Sequence, residues 1–368
     1  MSTSEQLTPQ EEFDAPQANQ VLNSLKSWKI VVPILIGLGV TAWMFGREYQ
    51  PGMFDMIQFT GWSVFWLFVS VMAMATRDLG YMARIRVLSD YDISWKSSFR
   101  IIMLWEFASA VSPSAVGGTS VALFFVNREG INIGRSTGIV MVTSFLDELF
   151  FAITFPVVVF LIGYQNVFGL DDGLISGFAK LAWIGYGLKV SYILVLSYGL
   201  FVNPKGLKWL LVQIFKLPFI KRWRSKAEEM GDEIVSTSIY FRHWPFKKWL
   251  KAFGATSASW LARYWVANAL IVAFFGIHQL GWFDHFVVFG KQLAMWIMML
   301  VAPTPGGAGF AEYIFKEFLA AFIPLGAGVT IALAWRMVSY YPYLIMGVIL
   351  LPKWISQIKI GHKKSKKA

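Results

Sequence analysis

The sequence predicts an all-α polytopic membrane protein built as two repeats of inverted topology. Each repeat has two spans, a re-entrant helical hairpin interrupted by a Pro/Gly-Gly break, and a further span. Three observations lead there. First, 56% of the 368 residues are hydrophobic, 17% are aromatic and only 15% are charged, a composition suited to helices in lipid rather than to soluble domains. Second, two stretches that cannot continue a helix interrupt apolar sequence: Val111-Ser112-Pro113-Ser114-Ala115-Val116-Gly117-Gly118 and Pro303-Thr304-Pro305-Gly306-Gly307-Ala308-Gly309. In hydrocarbon, non-helical backbone persists only where protein buries it or where it lines a watery cavity, so each break is a candidate site. Third, Asp147 lies 29 residues after Gly118, and Arg336 lies 29 after Gly307. A weak internal repeat with a broken helix in each half is the sequence pattern of a transporter-type site.

In chain order, residues 1–27 are polar and acidic, with Pro9 and Pro16, and read as a disordered tail rather than a signal peptide. Spans are expected at about 30–45 and 57–75, followed by a basic loop over 76–100 that holds Arg77, Arg84, Arg86, Lys96 and Arg100. Two short apolar arms, 101–112 and 119–127, would reach only ~18 and ~14 Å against a hydrocarbon core of ~30 Å, hence the hairpin. A third span is expected at about 136–163 and a fourth at 179–202. The connection 203–251 carries eleven Lys or Arg interleaved with aromatics, which beside membrane spans reads as helices on the lipid surface. A fifth span at about 252–277, a second hairpin at 289–323, a sixth span at 327–351 and a lysine-rich tail (353–368) complete the chain. The domain plan is thus one membrane domain, 28–352, with half one at 28–163 and half two at 179–352.

Orientation follows from charge. The segments 1–29, 76–100, 127–135, 203–251 and 352–368 hold 26 of the 33 Lys and Arg, whereas 46–56, 164–178 and 278–288 hold only Arg47. The positive-inside rule then places both termini in the cytoplasm of a multi-pass protein of a prokaryotic cytoplasmic (inner) membrane. Six spans, or ten if both hairpins cross fully, satisfy that parity. The net charge of +11 therefore points to anionic lipid headgroups and not to nucleic acid.

Charged residues far inside the spans are candidates for a site. Asp147, Glu148, Lys189, Arg263 and Arg336 all fall near midplane depth, where a charge costs at least ~3 kcal/mol and so faces a partner or a cavity. One reading is a set of structural ion pairs. The other is a polar cavity with a basic excess (Lys189, Arg263 and Arg336 against Asp147 and Glu148) that receives an anionic headgroup. The helix arms after Gly118 and Gly307 would aim N–H groups at a phosphate. Glu312 and Lys316, four residues apart, share a helix face and can pair. Asp147 and Arg336, at matching positions after matching breaks, are expected to meet as a salt bridge.

Other chemistry finds little support. No cysteine is present, and His243, His278, His285 and His362 lack metal-ligand spacing. No metalloprotease, nucleophile-elbow or phosphate-loop pattern occurs, and Gly117-Gly118 lacks the context of a dinucleotide loop. Neither a cofactor nor a metal is expected.

These residues resemble the lysylphosphatidylglycerol synthase transmembrane region, also called flippase-like domain proteins. The likeness rests on Pro303-Thr304-Pro305-Gly306-Gly307-Ala308-Gly309 with Glu312, then Arg336, Tyr340, Pro342 and Gly347, with Gly117-Gly118 and Asp147 in the first half. Where the family often has Glu-Arg before that Asp, this chain has Thr143-Ser144. The resemblance covers about 28–352 and implies translocation of a phospholipid or glycolipid. It also implies a substrate site drawn from Gly117, Gly118, Asp147, Glu148, Lys189, Arg263, Pro305, Gly306, Gly307, Glu312, Arg336 and Tyr340. The chain ends about sixteen residues after its last expected span, so no aminoacyl-transferase domain, and hence no synthase activity, is expected. The alternatives are a membrane-embedded transferase with Asp147 or Glu148 as base, or a non-catalytic partner of a separate lipid-modifying enzyme.

Overall fold

The computed structural model describes residues 60–111, 115–168, 173–217, 221–299 and 309–365, together with Gly307 and scattered positions between 35 and 47. The expected first span at 30–45 lies mostly outside these residues, as do the 1–27 tail, Pro305 and Gly306. Among the described residues there is helix and no strand. Five helices are long and apolar enough to cross a membrane: Gly61–Leu88, Ile133–Ile162, Ala179–Val202, Phe246–Phe275 and Gly328–Pro352. They correspond to the second through sixth expected spans.

Helix α1 (Gly61–Leu88) starts where Thr60 and Ser63 cap each other reciprocally, each side-chain oxygen accepting the other's backbone N–H. It does not stop at residue 75. The expected basic loop over 76–100 is instead the last three turns of α1, a short turn, and α2 (Trp95–Val111). Apolar averages fall at Arg77 and Arg84, yet both guanidiniums are buried in ion pairs, so the charges do not end the helix.

After α2 come α3 (Ala115–Arg128), α4 (Ile133–Ile162) and the short α5 (Tyr164–Phe168). Asn132 accepts from the Arg135 N–H and so sets the start of α4. Helices α2 and α3, where the sequence predicts the arms of the first hairpin, have 17 and 14 residues, longer than expected, and reach ~26 and ~21 Å. Helix α6 (Gly173–Ser197) ends in a wide turn, Tyr198–Val202. The basic connection then folds into α7 (Pro204–Ile214) and α8 (Arg224–Phe241), which pack on each other; α8 also packs on α4. Trp209, Leu210 and Ile214 of α7 remain exposed.

Helix α9 (Phe246–Phe275) is the centre of the bundle and has its largest interface with α1. The two run antiparallel at close range because Gly80 has no side chain: a Cβ there would stand 2.2 Å from Ser259 Oγ and 2.8 Å from the Ala255 carbonyl. Ser259 Oγ donates to the Arg77 carbonyl across that contact at 2.9 Å. The chain ends in α10 (Trp282–Met298), α11 (Phe310–Leu319), α12 (Gly328–Ser339) and α13 (Tyr341–Ser365). The expected sixth span is therefore broken at Tyr340, because Pro342 has no N–H to offer Val338 and its ring opposes that carbonyl. Helix α13 also continues to Ser365, into the lysine-rich tail.

Two apolar clusters make up the interior. One joins α1, α2, α3 and α13 with α4 up to Leu146; the other joins α10, α11 and α12 with α4 from Phe150 onward. Asp147 and Glu148 sit on α4 where the two clusters meet. Large apolar side chains such as Trp62, Phe68, Phe160, Leu161, Ile184 and Leu188 face outward, as helices in contact with lipid require.

Candidate functional site

The junction between the two clusters is a polar seam. From α1, Arg77 Nη2 meets Glu106 of α2 at 2.5 Å, and Arg77 Nη1 meets its neighbour Asp78 at 2.8 Å. Tyr343 of α13 donates to Asp78 at 2.9 Å. Two turns on, Arg84 Nη1 meets Asp147 Oδ1 of α4 at 2.5 Å and donates to Thr256 of α9 at 3.1 Å. The Trp260 indole N–H of α9 donates to the same carboxylate at 2.7 Å. Lys189 of α6 meets Glu148 at 2.5 Å and lies 5.1 Å from the Phe151 ring centre. The Tyr81 ring stands between the two arginines, 4.6 Å from each guanidinium carbon.

Arg263 of α9 differs from these cations. Its guanidinium lies 5.5 Å from the Trp260 ring and 5.0 Å from the Trp296 ring, and no carboxylate among the described residues is within ion-pair distance. It borders a cavity of about 30 Å³ lined also by Tyr264, Gln292, Trp296 and Trp335.

A second polar locus lies at the start of α11. Gly309 caps α11 with φ of 81°, a left-handed conformation that favours glycine, and its N–H donates to Glu312 Oε2 at 2.7 Å. Arg336 Nε of α12 meets Glu312 Oε1 at 2.8 Å, and its guanidinium carbon lies 4.7 Å from the Tyr340 ring. The Tyr340 hydroxyl donates to the Ala110 carbonyl at 3.1 Å, in the last turn of α2, where helical carbonyls have no partner within the helix. Tyr340 thereby ties the junction of α12 and α13 to the end of α2.

The sequence-derived assignments fare unevenly against this geometry. Lys189 and Glu148 come together. Asp147 and Arg336 do not pair as expected: Arg84 takes Asp147 and Glu312 takes Arg336. Equal spacing after two breaks places two residues at similar depth without making their helices face each other. Glu312 does not pair with Lys316, which bonds to Glu317 at 3.0 Å. The N–H at the start of α11, expected to face a phosphate, is occupied by the Glu312 carboxylate. Gly117 and Gly118 lie within the first turn of α3 and not before it. Gly307 has φ of 68°, and a Cβ there would stand 2.0 Å from Met299 Cε. The expected basic excess also disappears. Arg77, Arg84, Lys189 and Arg263 are matched by Asp78, Glu106, Asp147 and Glu148. Sequence reasoning missed Arg77, Asp78, Arg84 and Glu106. The available signal was helical period: Met74, Arg77, Tyr81, Ile85 and Leu88 share one face of α1 and are all buried.

Five candidate spans around a seam of buried ion pairs define a polytopic α-helical membrane protein with a polar interior. The model of the lysylphosphatidylglycerol synthase TM region matches residues 30–347, and the chain belongs to that family. It is also similar to a UPF0104 membrane protein of Archaeoglobus fulgidus, with 25% identity over 332 residues, covering 87% of this chain and 95% of that protein. No solved structure matches.

Proposed function

We propose that this protein translocates a phospholipid or lipid-linked anionic headgroup across the membrane along the polar seam. The observation that carries the reading is the way the seam's charges are exposed. Arg77, Arg84 and Lys189 are 1–5% exposed, whereas their partners Asp78, Glu106, Asp147 and Glu148 are 19–25% exposed. The Glu312–Arg336 pair, by contrast, buries both signs. In the seam carboxylates remain accessible between apolar helices, with the cations buried behind them. Charged residues at such depth mark substrate paths in membrane proteins, and the accessible sign suits the polar or cationic part of a headgroup. A transferase mechanism is less well supported, because both candidate bases are already engaged by donors: Asp147 by Arg84 and Trp260, Glu148 by Lys189.

The inverted repeat belongs to this proposal. Support comes from the recurrence of lengths. Helices of 28, 17, 14 and 30 residues (α1–α4) are followed in half two by 30, 17 and 10 (α9–α11) and the broken pair α12–α13. Support also comes from reciprocal packing, with α2 on α13 and α10 on α4, as two-fold related halves would require. Cysteines introduced at Gly130 and Leu325, both exposed, should label from opposite sides of the membrane, Gly130 from the cytoplasm. The chain has no cysteine of its own, so background labelling is nil. Labelling of both from one side would remove the inverted repeat.

The functional test is reconstitution of the purified chain into vesicles containing a fluorescent anionic phospholipid, with leaflet exchange followed by chemical quenching of the outer leaflet. Exchange well above that of protein-free vesicles is expected. Exchange equal to protein-free vesicles across several anionic lipids would refute translocation.

A further inference from the structure

We propose that α7 is a lipid-surface anchor whose outer face docks on the anionic headgroups of the cytoplasmic leaflet, apart from the polar seam and whatever the seam moves. The chain leads α7 directly to the bilayer boundary. Only Asn203 separates the candidate span Ala179–Val202 from Pro204, where α7 begins, and its side chain accepts from the Gly206 N–H. Eleven residues reach ~16 Å, about half of a hydrocarbon core of ~30 Å, so α7 lies along that boundary rather than crossing it. Its rotation is fixed from inside the protein. A Cβ at Gly231 of α8 would stand 2.9 Å from Lys208 Cβ, and one at Gly199 would overlap Leu207. Helix α8 and the wide turn after α6 thus grip the face of α7 that holds Leu207 and Lys208, and Lys208 also bonds to Asp232 of α8. The opposite face points away from the protein. It carries Trp209, Leu210 and Ile214, with Leu217 in the turn that follows; all are exposed, Trp209 by 63%.

Charge names the occupant. Residues 203–226 hold seven Lys or Arg and no Asp or Glu. Lys208 and Arg224 are taken by Asp232 and Glu228 of α8. Lys205, Lys216, Lys221, Arg222 and Lys226 are exposed, with no carboxylate at ion-pair distance among the described residues. Lys205 stands one helical turn before Trp209, on the edge of the apolar face. An apolar helix face bordered by cations buries its apolar side at the headgroup boundary and is held there by anionic lipid. Trp209 is a ring type that favours this boundary, and the basic excess assigns the surface to the cytoplasmic leaflet. Helix α8 does not share the role, because it packs on α4 and brings Glu228, Glu229, Asp232 and Glu233. A second copy of the chain packed face to face would set the cations of α7 against their like.

The test uses the full-length chain, which has no cysteine of its own, with a fluorophore on Leu210→Cys and, for comparison, on Gly130→Cys. Both are reconstituted into vesicles of phosphatidylcholine and phosphatidylglycerol. Brominated lipid should quench the Leu210→Cys label about twofold or more beyond the Gly130→Cys label, and aqueous acrylamide should show the reverse order. Brominated phosphatidylglycerol should quench Leu210→Cys about twofold more than brominated phosphatidylcholine at equal mole fraction, and salt at about 0.5 M should abolish that difference. Combining Lys205→Gln, Lys216→Gln, Lys221→Gln and Arg222→Gln should abolish it too, while bromolipid still reaches the apolar face. If that variant does not fold, the salt comparison on the parent decides. Acrylamide quenching of Leu210→Cys as strong as that of Gly130→Cys would place α7 in water and overturn the anchor. Equal quenching by the two bromolipids, or a difference that survives salt or the four substitutions, overturns the recognition of anionic lipid. Protection from both quenchers that grows with the protein-to-lipid ratio overturns the lipid surface in favour of a second copy. None of these readouts measures lipid exchange, so failure of the anchor and failure of translocation are told apart.

Discussion

Replacing Asp147 by Asn should destabilise the protein by ~3–5 kcal/mol, measured by equilibrium unfolding in mixed detergent micelles, because it strands a buried guanidinium. Arg84 is only 3% exposed, and its other hydrogen-bond partner is the Thr256 hydroxyl. Much of the cost is the penalty of the abandoned charge and not the worth of the pair. The reverse change, Arg84→Met, should cost less, because Asp147 keeps the Trp260 N–H and is 22% exposed. A double-mutant cycle between the two should give a coupling of ~1 kcal/mol or more, while Asp147→Asn and Arg336→Gln should add to within ~0.5 kcal/mol. Strong coupling in the second cycle and none in the first would contradict the pairing described above.

Glu312 should be as sensitive, for two separable reasons. Its carboxylate holds Arg336 and also caps α11 through the Gly309 N–H, and the side chains of this ion pair are 3% and 7% exposed. Glu312→Gln keeps an oxygen for the cap and removes the charge, so it should cost ~3 kcal/mol or more. Glu312→Ala removes both and should cost a further ~0.5–2 kcal/mol, the range of a lost N-terminal cap. Equal unfolding free energies for the two variants would show that the cap contributes nothing. A wild-type-like Glu312→Gln would show that the ion pair contributes nothing.

How much of this was legible beforehand depends on the range of the interaction. The helix α4 with Asp147 and Glu148 inside it follows from its run of apolar residues, and so does α9 with Arg263. Both are local, since a segment's transfer into lipid depends on its own side chains. The last three turns of α1 were misread because hydropathy scores a charge by its cost alone, while Arg77 and Arg84 are compensated by Glu106 and Asp147 on other helices. The break at Tyr340 was readable from Pro342 but was overridden by the apolar run around it.

From sequence alone came the helical class, the approximate positions of five spans and the identity of most charges that a bilayer would force together. The partner of each charge was decided by tertiary structure. Arg84 and Asp147 are 63 residues apart and Glu312 and Arg336 are 24 apart. Sequence spacing gives depth along a helix but not the rotation of that helix about its axis, or which neighbour it faces. Close contacts such as Gly80 on Ser259 set those rotations, and they exist only once α1 and α9 are packed.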